Sequence, residues 1–260
     1  MNAIRNIFIT GFVLTATAAP VCSNSMTAQP AGTVAETEVT AQTVEADYLH
    51  NWTAGKQVSI KSINEFGLDR CFTAEPVSDA VFKRMKGKTW KANCTVSRES
   101  LRYVKVLHYT ASKKIQTGEL VCSKVIANDI IAIFRELYHK KYPIERMVLI
   151  DNYDADDERS MTANNTSCFN FRRVAGSRHL SKHSQGRAID INPLYNPCVR
   201  CTNGRQEVSP KAGQAYADRS KKDIPYKIDR NDLCYKLFKA HGFTWGGEWK
   251  SVKDYQHFEK

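Results

Sequence analysis

The apolar positions along the chain change their period several times, and each change predicts an element. Between Lys124 and His139, Val125, Ile126, Ile130, Ile133, Phe134 and Leu137 recur at three- and four-residue intervals, and Pro143 follows. That pattern predicts one buried face of a helix. A shorter helix is expected after Ser78, a good N-cap residue, with Val81, Phe82 and Met85 on one face and Gly87 at its end. Residues 232–241 repeat the pattern through Leu233, Leu237 and Phe238, closed by Gly242. Residues 101–109 (LRYVKVLHY) are β-branched and aromatic enough for a strand, and Met147 to Ile150 for a short buried one. No internal repeat and no regular βαβ alternation is present. The expectation is an α+β fold, a small antiparallel sheet with flanking helices, rather than a doubly wound sheet.

The amino terminus follows a different pattern. Residues 1–6 carry one cation, Arg5, and precede an apolar run from Ile7 to Val21 containing the small residues Ala16, Ala18 and Ala19. The run is short for a bilayer span, which needs about 20 apolar residues. It suits a secretory signal peptide over residues 1–28. Cys22 keeps a second reading open, acylation of a bacterial lipoprotein, although Ala19-Pro20-Val21 suits that signal poorly. Export to the periplasm or cell envelope is expected either way, with membrane attachment only if Cys22 is lipidated. Residues 23–45 are rich in Ser, Thr, Ala, Gln and Val, and a flexible linker is expected over residues 29–50. The body then divides into an amino-terminal α/β part (51–145) and a carboxyl-terminal core (146–260).

Composition narrows the class without choosing a function. With 42% hydrophobic and 25% charged residues the chain is globular, which excludes a disordered, collagenous or polytopic membrane protein. The net charge of +11 favours acidic partners but does not choose among them. No nucleic-acid motif accompanies it, so a nucleic-acid binder is not expected. Seven cysteines follow residue 28, and an exported chain favours disulfides among them. Cys198 and Cys201 form a lone CxxC, read as structural. The acidic run Asp151, Asp154, Asp156, Asp157 and Glu158 offers oxygen ligands for Ca²⁺, but it lacks the glycine and spaced glutamate of an EF-hand and suits a solvated loop better.

Two clusters near the carboxyl end carry chemistry. In the first, Ser181 to Pro193, His183 precedes a glycine turn and Asp190 sits inside the apolar stretch Ala188 to Ile191. A buried carboxylate is costly unless it is paired or holds a cation. In the second, Trp245-Gly246-Gly247-Glu248-Trp249 leads to Asp254-Tyr255-Gln256-His257-Phe258-Glu259. Two imidazoles and one carboxylate can hold Zn²⁺ with a position open for water, and a spare carboxylate nearby can take the proton as that water attacks.

The pattern SxHxxGxAxDI, then WGGxW, then DxxHFE resembles the zinc peptidases of bacterial cell walls over roughly residues 160–260. Those are the D-alanyl-D-alanine carboxypeptidases and L-alanyl-D-glutamate peptidases, which share a hedgehog-like fold. The resemblance implies a zinc peptidase core with His183, Asp190 and His257 as ligands, Asp254 as general base, and peptidoglycan stem peptides as substrate. It implies an upstream arginine for a substrate carboxylate or oxyanion: Arg172 is the choice, with Arg173 and Arg178 open. Ser181 is expected to shape the turn at the substrate site, and Trp245 or Trp249 to line the cleft or pack in the core. Asp rather than Glu three residues before His257 favours the endopeptidase branch. A non-catalytic zinc-containing wall-binding module is the alternative, and retention of Asp254 argues against it. Between residues 172 and 205 there are seven Lys or Arg and one acid, Asp190, which suits a carboxylate-bearing peptide.

Overall fold

The expected strand at Leu101 is the centre of the largest sheet in the computed structural model, which describes residues 33–260 other than Ala175. The signal peptide and Cys22 lie outside the described residues. In chain order the helices and strands are α1 (Thr33–His50), α2 (Ile60–Phe66), β1 (Thr73–Pro76), α3 (Asp79–Met85), β2 (Leu101–Tyr109), β3 (Ile115–Ser123), α4 (Ala127–His139), α5 (Asp157–Thr162), β4 (Ala188–Asp190), β5 (Cys198–Thr202), β6 (Arg205–Ser209), α6 (Leu233–Ala240), β7 (Thr244–Trp245), β8 (Val252–Asp254) and β9 (His257–Glu259). Three antiparallel three-stranded sheets form, ordered β1-β2-β3, β4-β9-β7 and β6-β5-β8, so the single small sheet of the sequence reading becomes three.

The first sheet is covered by α4, which buries Ile130, Ile133, Phe134 and Leu137 against it. The helix starts later than its hydrophobic pattern suggests. Ser123 Oγ accepts the Val125 amide in a turn that turns Val125 outward, 64% exposed, while Ile126 stays buried at the helix entrance. Ser78 caps α3 through the Val81 amide, and Asp232 caps α6 through the amides of Cys234 and Tyr235.

β3 interrupts its apolar run with Gly118 and Glu119, and its partners explain why. Glu119 is buried but receives the Arg84 guanidinium at 2.5 and 2.8 Å, the Tyr103 hydroxyl at 2.6 Å and the Leu149 amide at 3.2 Å. Gly118 lies where a Cβ would stand 3.1 Å from both the His108 ring and the Met147 sulfur. Met147 to Ile150 is buried as expected but is not a strand. Its backbone is satisfied by the Asn165 side chain, which bonds both polar groups of Val148, and by Glu119 instead of a ladder.

Two further expectations are corrected, for the linker and the cysteines, and the acidic run takes its place. The linker segment is helical over Thr33–His50, with Leu49 buried in the core and Glu45 accepting from Ser59 and Ser62. Cysteines 71, 94, 122, 168, 198, 201 and 234 are all free thiols. Cys198 and Cys201 lie three positions apart on β5, about 10 Å along an extended strand, beyond the reach of a disulfide. The acids of 151–158 diverge to separate protein partners: Asp151 to Thr89, Asp154 to Lys88 and Arg159, Asp156 to the cap of α5, Asp157 to Arg172 and Glu158 to the Lys211 amide. They do not converge on a cation.

One hydrophobic core runs from Leu49 to Phe258, so the boundary at 145/146 separates no two cores. The closest seam is at Gly186, which has φ +64°. Its carbonyl accepts the Ser123 amide at 2.8 Å, and a Cβ there would lie 2.6 Å from the Ser123 nitrogen. Gly186→Ala is therefore expected to lower unfolding stability by about 1–3 kcal/mol through strain and overpacking. Urea denaturation checks this, and an unchanged midpoint would exclude the close approach.

Candidate metal and catalytic site

The site begins at a tight turn. Ser181 is extended, and its hydroxyl accepts the His183 amide at 3.2 Å, starting the helical turn Lys182–Gln185 that Gly186 ends in a left-handed conformation. Ser181 thus shapes the turn and also lines the cleft. β4 follows, and its antiparallel pairing with β9 places Asp190 directly opposite His257. β9 leaves β8 after only Tyr255 and Gln256, so Asp254 ends one sheet and His257 begins another.

The ring nitrogens are fixed by what surrounds them. His183 Nδ1 lies 2.6 Å from the Cys168 carbonyl, and His257 Nε2 lies 3.1 Å from the Glu259 carboxylate. Both partners only accept, so in a neutral imidazole each of those nitrogens carries the proton and the opposite one presents a lone pair. His183 Nε2 and His257 Nδ1 then face each other at 3.2 Å, and Asp190 oxygens stand 3.3 and 3.1 Å from them. Neutral imidazoles leave no proton to share among these three donors, which also form a buried group able to hold a metal ion. Zinc bonds of about 2.0–2.1 Å place tetrahedral neighbours about 3.3 Å apart, so the donor set fits such an ion in spacing and in chemistry.

The electrostatics agree. Burial works against ionisation of Asp190, but His183 and His257 outweigh it and hold the carboxyl well below the usual range. Burial pulls His257 down, yet hydrogen bonds to Asp190 and Glu259 and the charge of Asp254 push it up to about 10. This pocket demands a positive charge, as a proton or as a metal.

Asp254 differs from Asp190. Burial raises it to about 6, with Asp190 adding and the two histidines opposing, and its Oδ1 is buried without a hydrogen-bond partner. Such a carboxylate is poised to accept a proton. Gly246 makes room for it: a Cβ there would stand 2.6 Å from the Asp254 carbonyl oxygen and 3.3 Å from the His257 Cβ. All four residues open onto a cleft of about 990 Å³ walled by α5, the turn at Ser181 and strands β5, β6 and β8.

The other expected residues are placed unevenly. Arg172 lines the cleft, but its guanidinium is ion-paired with Asp157, while its amide bonds Ser184 Oγ at 2.8 Å. Arg173 and Arg178 line an adjoining groove instead. Trp245 does not contact the cleft. It is 4% exposed, donates Nε1–H to the Tyr255 carbonyl and packs on Phe258, because β7 turns it inward. Trp249, four residues on, lines the cleft with its ring 5.1 Å from that of His257. Sequence reasoning missed Glu259, which strand alternation places on the same face as His257, and Cys198, the ladder partner of Asp254. The Cys168 carbonyl left no side-chain signal at all.

Comparison with known proteins covers the segment that carries the ligand set. Residues 175–260 match a family model described as D-alanyl-D-alanine carboxypeptidase. That segment contains His183, Asp190, Asp254 and His257, and it excludes Arg172. The match supports a peptidase reading for the segment that holds the site. No solved structure matches the chain.

Proposed function

We propose that the chain is an exported zinc peptidase acting on peptidoglycan stem peptides. The carrying observation is the convergence of three lone-pair donors of His183, Asp190 and His257 beside a protonatable Asp254 in an open cleft. The family match over the same residues supports the peptidase class, and the apolar amino terminus of the sequence supports export. The expected hedgehog-like fold belongs to this same reading.

His183, Asp190 and His257 would hold the dication, which when bound would supply Lewis acidity to acidify water and polarise a carbonyl. Asp254 accepts a proton as water adds to the scissile carbonyl, and passes it to the departing amine as the C–N bond breaks. Cys168 and Glu259 hold the imidazoles in the required tautomers, and Trp249 shields one side of His257. The arginine chosen for a terminal carboxylate is already paired with Asp157, and the cleft is open, which favours an internal bond such as L-Ala–D-Glu over removal of a terminal D-alanine.

Mass spectrometry of muropeptides after incubation with zinc-loaded protein tests this, with a chelator control. Cleavage after L-Ala is expected. Loss of only terminal D-alanine would keep the peptidase and overturn the bond assignment. Absence of chelator-sensitive cleavage would favour a non-catalytic zinc-containing wall-binding module.

A further inference from the structure

The wall of the cleft that carries Asp254 belongs to the β6-β5-β8 sheet. β5 pairs with both neighbours, and the two registers set Ser209 and Asp254 directly opposite Cys198, one on each side. Opposed residues point to the same face of a sheet, and all three line the cleft. Cys201, three positions further along β5, falls on the other face and does not line it.

Directly opposed residues of an antiparallel pair hold their Cβ atoms about 4.5–5.5 Å apart, which brings the Cys198 thiol beside the Asp254 carboxylate. Burial raises Asp254, and a hydrogen bond from Cys198 works against that rise. Burial and the neighbouring Asp254 carboxylate push the Cys198 thiol up, so it keeps its proton at neutral pH. Among the described residues Asp254 Oδ1 has no hydrogen-bond partner. Gly246 packs so close that a Cβ there would lie 2.8 Å from Asp254 Cβ, and it brings no side chain of its own.

A base without a donor lacks a fixed orientation, while strong donors to the charged form lower its pKa and cost it basicity. An S–H group is a weak donor and lies between these limits. We infer that Cys198 is the positioning residue of the base: its S–H donates to the Asp254 carboxylate and fixes the direction in which that carboxylate meets water. The inference rests on the reading of Asp254 as the base.

The test compares Cys198→Ala, which removes the donor, with Cys198→Ser, which keeps one, in kcat, KM and metal content on muropeptides. Cys198→Ala is expected to lower kcat about tenfold with KM and metal content unchanged, the effect of losing one weak hydrogen bond to a charged group. Cys198→Ser should recover most of that loss, and Cys201→Ala should match wild type. An unchanged kcat in Cys198→Ala, loss of metal in it, or a serine variant as slow as the alanine one would overturn the positioning role. A second measurement needs no turnover: the rate of Cys198 alkylation by iodoacetamide, followed by peptide mass spectrometry, in wild type and in Asp254→Asn. Removing the adjacent negative charge is expected to speed labelling of Cys198 about tenfold and to leave Cys201 unchanged, because the thiolate is the reactive form. An equal rate at Cys198 would overturn the contact. If wild type cleaves no muropeptide, the base assignment fails, and the labelling alone decides whether thiol and carboxylate meet.

Discussion

Replacing His257 by alanine is expected to strip the protein of stoichiometric metal and to lower kcat/KM by about 10³-fold or more, since Lewis-acid stabilisation is worth several kcal/mol. His257 is the hub of the site. Its Nδ1 meets both His183 and Asp190, and its other nitrogen is held by Glu259. Removing it leaves two donors, too few for a tight site. A graded comparison separates this from general misfolding. Glu259→Gln keeps all three donors but weakens the hold on the ring, and should cost about 10–100-fold in metal affinity. Metal content after dialysis and circular dichroism together decide: a folded His257→Ala protein with a full complement of metal would refute the ligand set.

The second large effect is on proton transfer. Asp254→Asn is expected to retain metal and fold while losing about 10²–10⁴ in kcat, the usual worth of a general base. Its sign with pH follows from the role. A base must be deprotonated, so activity falls as pH drops through the Asp254 titration. That titration is raised to about 6 by burial in the metal-free site. A bound dication favours the carboxylate, so the acidic limb of kcat/KM should lie at or below pH 6 and vanish in Asp254→Asn. An identical limb in that variant would assign the base elsewhere.

How much of this was legible from sequence depends on what carries the information. Asp190 stands out as a carboxylate inside the apolar stretch Ala188 to Ile191, and His183 and His257 by the motifs SxHxxGxAxDI and DxxHFE that surround them; β4 and β9 bring the three together. α3, α4 and α6 follow their apolar periods because those faces are buried against the rest of the core. β3 escapes because Glu119, ion-paired with Arg84 and hydrogen-bonded by the Tyr103 hydroxyl, breaks the pattern that marks a strand. Trp245 and Trp249 are equivalent by composition, and only the three-residue turn between them sends one to the core and the other to the cleft. Arg172 carries no sign in the sequence that Asp157, fifteen residues earlier, neutralises it.

The single core has a consequence for what counts as the functional unit. The segment 175–260 contains every side chain of the ligand set and the base, but not what aims them. The carbonyl that fixes the His183 ring belongs to Cys168, the surface that seats Gly186 belongs to Ser123, and the hydrophobic interior is shared with α4 and β2. A fragment cut at residue 175 would keep the motifs and lose their orientation. The chain before residue 175 is therefore a frame for the site rather than an appendage to it, and evolution or engineering that swaps it must replace those backbone contacts as well as the bulk.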